Sequence, residues 1–163
     1  MVAERTITIA DEVWIATALL HREQPDRPYF TVREIQERVA VEGIAGRMRP
    51  GVLPHIYMHC VANAAPNPSR LRMLYATGSN TRRLWRPGDQ CHPRRMGGRQ
   101  TPDPKELPAR YRDLMEWYLT SYASRKGVSN EEDAVLALRG LGKALWSGEH
   151  PDAYVQRLRE GWG

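Results

Sequence analysis

The feature that most restricts the fold is a change of apolar period near residue 65. Upstream, apolar residues recur at helical spacing in three successive segments; downstream they alternate over two short segments separated by Gly78-Ser79-Asn80. In residues 10–23, Val13, Ala16, Leu19 and Leu20 share one helical face behind the acidic start Asp11-Glu12, and Pro25 and Pro28 stop the segment. Residues 31–42 open with Thr31 and place Glu34 three positions on, a capping box, with Val32, Ile35 and Val39 as the apolar stripe. In residues 49–64, Val52, Ile56 and Cys60 form one stripe with Leu53, Tyr57 and Val61 beside it, predicting a third helix with Pro50 or Pro54 in its first turn.

The alternating part follows at once. Residues 70–77 set Leu71, Met73 and Tyr75 against Arg70, Arg72 and Leu74, and residues 81–86 can return as the partner strand. Residues 87–108 hold five prolines and three glycines without apolar periodicity, so an irregular connection is expected there. Tyr111, Leu114, Met115, Tyr118, Leu119 and Tyr122 then give 109–125 the clearest amphipathic helix in the chain. The expected fold is mainly α with a small β-hairpin. Its order is that of a winged helix-turn-helix over residues 1–125, with the amphipathic helix at the end of that domain. A polar linker over 126–133 and a helical tail over 134–163 follow.

Charge is concentrated in the same region. Of the net +5, the window from Arg47 to Arg99 contributes +9, from ten arginines and the single acid Asp89. Arginines interleaved with Tyr, Trp and Leu suit a folded surface facing a polyanion. In a winged helix-turn-helix the third helix enters the major groove and the hairpin lies over the backbone. The expected partner is therefore double-stranded DNA. His55, His59 and Asn63 are the candidate base readers, and Arg47, Arg49, Arg70, Arg72, Arg82, Arg83 and Arg86 the candidate phosphate contacts.

Other chemistries find little support. His55, His59, Cys60, Cys91 and His92 could be assembled into a zinc site only without the CxxC spacing that such sites favour, so no metal and no cofactor are expected. No GxSxG, phosphate loop or HExxH occurs, so the chain is not read as an enzyme. Two cysteines are too few for a disulfide framework. With no signal-peptide pattern and no apolar run near the roughly 20 residues that span a bilayer, a cytoplasmic protein without membrane contact is expected.

The tail poses a different problem. Residues 131–146 carry Val135, Leu138, Leu141 and Leu145 but are interrupted by Gly140 and Gly142, each costing about 1 kcal/mol relative to alanine. Residues 149–162 carry Pro151 and Asp152 in a first turn and Tyr154, Val155, Leu158 and Trp162 as apolar anchors. Two helices too short to stand alone are expected to order against a partner, on this same chain, in a homodimer or on another protein.

The stretch "ALRGLGKALWSGEHPDAYVQRLREGW" resembles the toxin-binding tail of antitoxins of the VapBC class, in which an LRGxGKxLW element precedes a DEYVxxLRxGW-like helix. The resemblance covers about 30 residues and implies a partner, a PIN-domain ribonuclease toxin, together with repression of the chain's own operon. It implies toxin contacts by Leu138, Leu141, Leu145, Trp146, Tyr154, Leu158 and Trp162, with Arg139, and behind it Arg157 and Arg159, offering a guanidinium to the toxin's acidic metal site. A winged helix would here stand where such antitoxins usually carry a ribbon-helix-helix or swapped hairpin. A stand-alone winged-helix regulator and a DNA-binding accessory of a restriction or defence system remain the alternatives.

Overall fold

Helices and one small antiparallel sheet build the described part of the protein. The computed structural model describes residues 7–66 and 69–125, all within one unit of the chain, Met1–Gly127. Helix α1 (Ile9–Glu23) starts at Thr8, whose side chain accepts from the Asp11 N–H at 3.2 Å. The sequence predicts one apolar face for this helix, yet every residue from Ala10 to His21 is buried. The helix at Val32–Glu42, the segments Val52–Pro54 and His55–His59, the strand at Thr81–Leu84 and the helix at Asp113–Trp117 all pack against it, so α1 is the core element and not a surface helix.

Burial on all sides requires partners for its polar side chains. Thr17 donates to the carbonyl of Val13 at 2.8 Å within the same helix. Glu12 accepts two hydrogen bonds from Arg49, at 2.6 and 3.1 Å, and Asp11 accepts from Arg99 at 2.8 Å. His21 packs edge-on against Phe30 and lies against Tyr122, both rings 4.9 Å away, and burial holds its pKa down at about 3, with Arg86, Arg83 and Arg27 adding to the effect.

Strand β1 (Phe30–Thr31) is two residues long and was not legible as a strand in the sequence. Thr31 then caps helix α2 (Val32–Glu42) through the predicted capping box: the Glu34 N–H donates to the Thr31 hydroxyl, and the Thr31 N–H donates to the Glu34 carboxylate. Arg27 grips the same carboxylate and, with the Thr31 bonds, lowers its pKa to about 2. Gly43 ends α2 in the left-handed region at φ 56°, where glycine has no side chain to clash.

Helix α3 (Val52–Pro54) runs directly into a π-helical turn, His55–His59, and the two are called helix 3 below. Strands β2 (Leu74–Gly78) and β3 (Thr81–Leu84) form the predicted hairpin, shorter than the alternation suggested, with a register shift beside its turn. The sheet order is β1-β3-β2, antiparallel throughout. Residues 87–108 are irregular apart from a short 3₁₀ turn, Pro93–Arg95. The predicted helix over 109–125 is divided into a 3₁₀ turn (Ala109–Tyr111), helix α4 (Asp113–Trp117) and a π-helical turn (Tyr118–Tyr122). Of its predicted stripe, Tyr111, Leu114, Tyr118 and Tyr122 are buried, while Leu119 is exposed. Tyr118 donates to the carbonyl of Trp85 at 2.6 Å and Tyr122 to that of Leu84 at 2.8 Å, which ties this segment to the end of β3. Among the described residues no helix is long and apolar enough to cross a membrane.

Candidate nucleic-acid interface

Helix 3 does not reach residue 64 as its apolar stripes predict; it ends at His59. The stop is imposed from the other side of the sequence. The N–H groups of Met73 and Leu74 donate to the carbonyl of Cys60 at 3.0 and 2.8 Å, and the Ala62 N–H donates to the carbonyl of Leu74 at 2.7 Å. Residues that would have formed the next helical turn are thereby held as a partner of the chain entering β2.

A helix that ends inside a protein leaves carbonyls needing donors, and here two buried guanidinium groups supply them. Arg95, 0% exposed, donates through Nε to Ala64, through Nη1 to His59 and Leu71, and through Nη2 to Met58 and Ala65, at 2.6 to 3.2 Å. All five guanidinium N–H groups therefore meet backbone oxygen. Arg82, also buried, donates to Ile56 at 3.1 Å and Tyr57 at 3.4 Å, and through Nη1 to Gly78 and Thr81 in the hairpin. The last four carbonyls of helix 3 each face one of these cations, which also suits the negative end of the helix dipole. Close packing of the intervening loops makes this geometry possible: a Cβ on Gly98 would lie 1.7 Å from the carbonyl oxygen of Arg70.

The structure separates the ten predicted DNA-contact residues into groups. Arg82 is interior, and Arg49 is bound to Glu12 and to the carbonyl of Ile7. Arg83 forms a bidentate pair with Asp89 at 2.6 and 2.7 Å and lies over the Tyr75 ring. Arg72 donates to the carbonyl of Gly98 and lies over Trp85, and Arg86 lies over Tyr122. Arg47 and Arg70 are exposed and form no ion pair among the described residues, a state they share with Arg94.

The three polar readers also take structural positions. His55 Nδ1 is 2.7 Å from the carbonyl of Gly51, and its ring meets that of His59 at 4.9 Å. Burial lowers the pKa of His55, with His59 and Arg49 contributing. His59 Nδ1 is buried and has no hydrogen-bond partner among the described residues. Asn63 lies beyond the helix and pairs through its side-chain amide with the backbone of Ala76, at 3.0 and 2.9 Å, in the manner of a strand neighbour. What helix 3 presents to solvent instead is Leu53, Tyr57 and Met58, with Met48 just before the helix. Of these, the apolar spacing sets Leu53 and Tyr57 beside the buried stripe, and the structure instead exposes them; Met58 lies on the side opposite Val52, Ile56 and Cys60 and is exposed there. The Tyr57 hydroxyl donates to Asn80 in the hairpin turn at 3.1 Å, joining helix and hairpin into one surface.

Cys60 is fully buried and burial pushes its thiol pKa up to about 12, so it is a core residue. Cys91 donates to the carbonyl of His92, whose ring caps the turn at Pro93. Among the described residues no cluster of three or more histidine, cysteine or acidic side chains could hold a metal ion. The predicted toxin contacts Leu138, Arg139, Leu141, Leu145, Trp146, Tyr154, Leu158 and Trp162 lie outside the described residues. Compared with protein-family models, curated proteins and solved structures, the chain matches none.

Proposed function

We propose that this chain is an antitoxin-like regulator: a winged helix-turn-helix binds duplex DNA, and the segment from residue 134 onward neutralises a PIN-type ribonuclease. The observation that carries the DNA half is the order helix, strand, helix, helix, strand, strand with sheet order β1-β3-β2, which brings helix 3 and the hairpin turn side by side. A winged helix uses that pair of elements to occupy a groove and follow the adjoining backbone.

Charge supports the same direction. Residues 43–88, which include helix 3 and the whole hairpin, contain seven arginines and no Asp or Glu. A segment without carboxylates adds no repulsion of its own toward a phosphate backbone, even where some of its arginines are used internally. The toxin half rests on the tail sequence, where Trp146, Tyr154 and Trp162 supply the residue types most frequent among interface hot spots.

The test is co-expression of the full chain with a PIN-type ribonuclease encoded beside it. Co-purification, protection of cells from the nuclease, and salt-dependent binding of the complex to DNA upstream of the gene pair are expected. A chain ending at Asn130 should retain DNA binding and lose protection. Equal protection by the truncated chain refutes the toxin half, and no duplex binding at low salt refutes the DNA half.

A further inference from the structure

The outward face of helix 3 bears on which bases such a protein would read, an inference that rests on the DNA-binding reading above. We infer that helix 3 recognises thymine through its methyl group, with Leu53 and Met58 as the contact points on either side of Tyr57. Bidentate recognition of guanine or adenine in the major groove calls for Arg, Lys, Asn or Gln. None of these occurs between Val52 and His59. The polar groups helix 3 does carry are engaged or partly covered: His55 Nδ1 lies on Gly51, the Tyr57 hydroxyl donates to Asn80, and His59 Nδ1 is buried.

The exposed remainder is apolar, with Leu53 37%, Tyr57 39% and Met58 45% exposed. The thymine C5-methyl is the one feature of the major-groove edge that apolar side chains read by contact, so this face fits A·T pairs with the methyl turned toward it. Two further features favour DNA over a protein as the occupant. Arg47, exposed and unpaired among the described residues, precedes Met48 at the approach to helix 3, and the exposed hairpin turn adds Ser79 and Asn80 as hydrogen-bonding groups. No carboxylate lies anywhere in the segment that forms this surface. Readout by methyl contact also needs a helix held in place, since apolar contacts are short in range. The guanidinium groups of Arg82 and Arg95 fix the end of helix 3 from which Tyr57 and Met58 project.

The experiment uses the full chain and duplexes selected from a random pool for tight binding, each then prepared again with deoxyuridine in place of thymidine. That change removes the methyl and leaves charge and pairing intact. Selected duplexes should be rich in A·T pairs, and deoxyuridine should weaken binding about fourfold for each methyl contacted. The double variant Leu53→Ala/Met58→Ala, altered only at exposed positions, should bind thymine and uracil duplexes alike with the salt dependence unchanged. Equal, salt-dependent binding of both duplexes by the unaltered chain overturns the thymine inference and leaves DNA binding standing. No binding to any duplex at low salt overturns both. Loss of a PIN-type ribonuclease from the double variant would assign this face to a protein and likewise overturn the inference.

Discussion

Replacing Arg95 with methionine should destabilise the protein by about 4 kcal/mol. Methionine keeps most of the apolar stem and removes five donors. The carbonyls of Ala64 and Ala65 lie toward the surface and can be rehydrated, and that of Met58 still accepts from the Val61 N–H at 3.2 Å. Those of His59 and Leu71 have no other hydrogen-bond donor among the described residues. Both face a guanidinium that is itself 0% exposed, and if the space behind helix 3 stays closed to water each carbonyl left without a partner costs about 1–3 kcal/mol, so two give roughly 4. Relief from burying an uncompensated positive charge works in the opposite direction. The five short bonds show that this charge is well solvated by the backbone, so the relief should be the smaller effect. Urea unfolding followed by tryptophan fluorescence would measure the loss, because Trp14 is fully buried and reports on the core. With a slope of about 2 kcal/mol per molar urea, the midpoint should fall by about 2 M at unchanged slope. Arg95→Lys retains the charge but can reach at most three of the carbonyls, and should fall between the two. A loss below about 1 kcal/mol for methionine would show that water enters behind helix 3 and refute the reasoning. A lysine variant as stable as the parent would show that charge, and not the planar array of donors, is what matters.

Other consequences follow from the buried polar groups of α1 and α2. Because the folded pKa of His21, about 3, lies below the ordinary 6.5, its contribution is full above about pH 6.5 and is lost as pH falls toward 3. The slope reaches about 1.4 kcal/mol per pH unit in that window, and His21→Phe should remove this part of a stability-against-pH curve measured by urea titration. Glu12→Gln breaks a buried pair with Arg49 and should cost about 3 kcal/mol or more, read as a fall in urea midpoint at constant slope. Thr31→Ala removes the α2 cap and should cost about 1 kcal/mol; no measurable change would mean that Glu34 and Arg27 hold the helix start without it.

How far the sequence discloses this structure depends on whether a feature is local. The capping box at Thr31 and Glu34 depends on residues three positions apart and is present, and of the stripe from Tyr111 to Tyr122 the positions Tyr111, Leu114, Tyr118 and Tyr122 are buried, although Leu119 is exposed and the helix is divided. The end of helix 3 depends on Arg95, Met73 and Leu74, which no periodicity within 49–64 can report. The same limit applies to Asn63, whose partner Ala76 lies on another element. Strand β1 is too short for alternation to register, and the burial of α1 on every side is set by what packs around it. Of the candidate site, the hairpin beside helix 3 was legible, but its exposed chemistry was not: Leu53 and Tyr57 look in sequence like a second core stripe.

The arginines show why a charge count overstates an electrostatic surface. The +9 window draws its counter-charges from outside itself, because Arg49 is paired with Glu12 and Arg99 with Asp11, both acids in the first turn of α1. Arg83 uses the window's only acid, and Arg82 and Arg95 are spent on backbone carbonyls. Arg47, Arg70 and Arg94 remain exposed without ion pairs among the described residues. If these three contact phosphate, the triple alanine variant should lose about 2.7 from the slope of log affinity against log salt, roughly 0.9 for each, while its urea midpoint stays unchanged because all three are exposed. Alanine at Arg82 or Arg83 should also reduce DNA binding, but with a loss of stability that accounts for it. Titration of a duplex at several salt concentrations, beside urea unfolding of each variant, separates the two causes. An unchanged salt slope in the triple variant would mean that the phosphate contacts come from elsewhere in the chain, and that the exposed part of the arginine block is not the DNA surface.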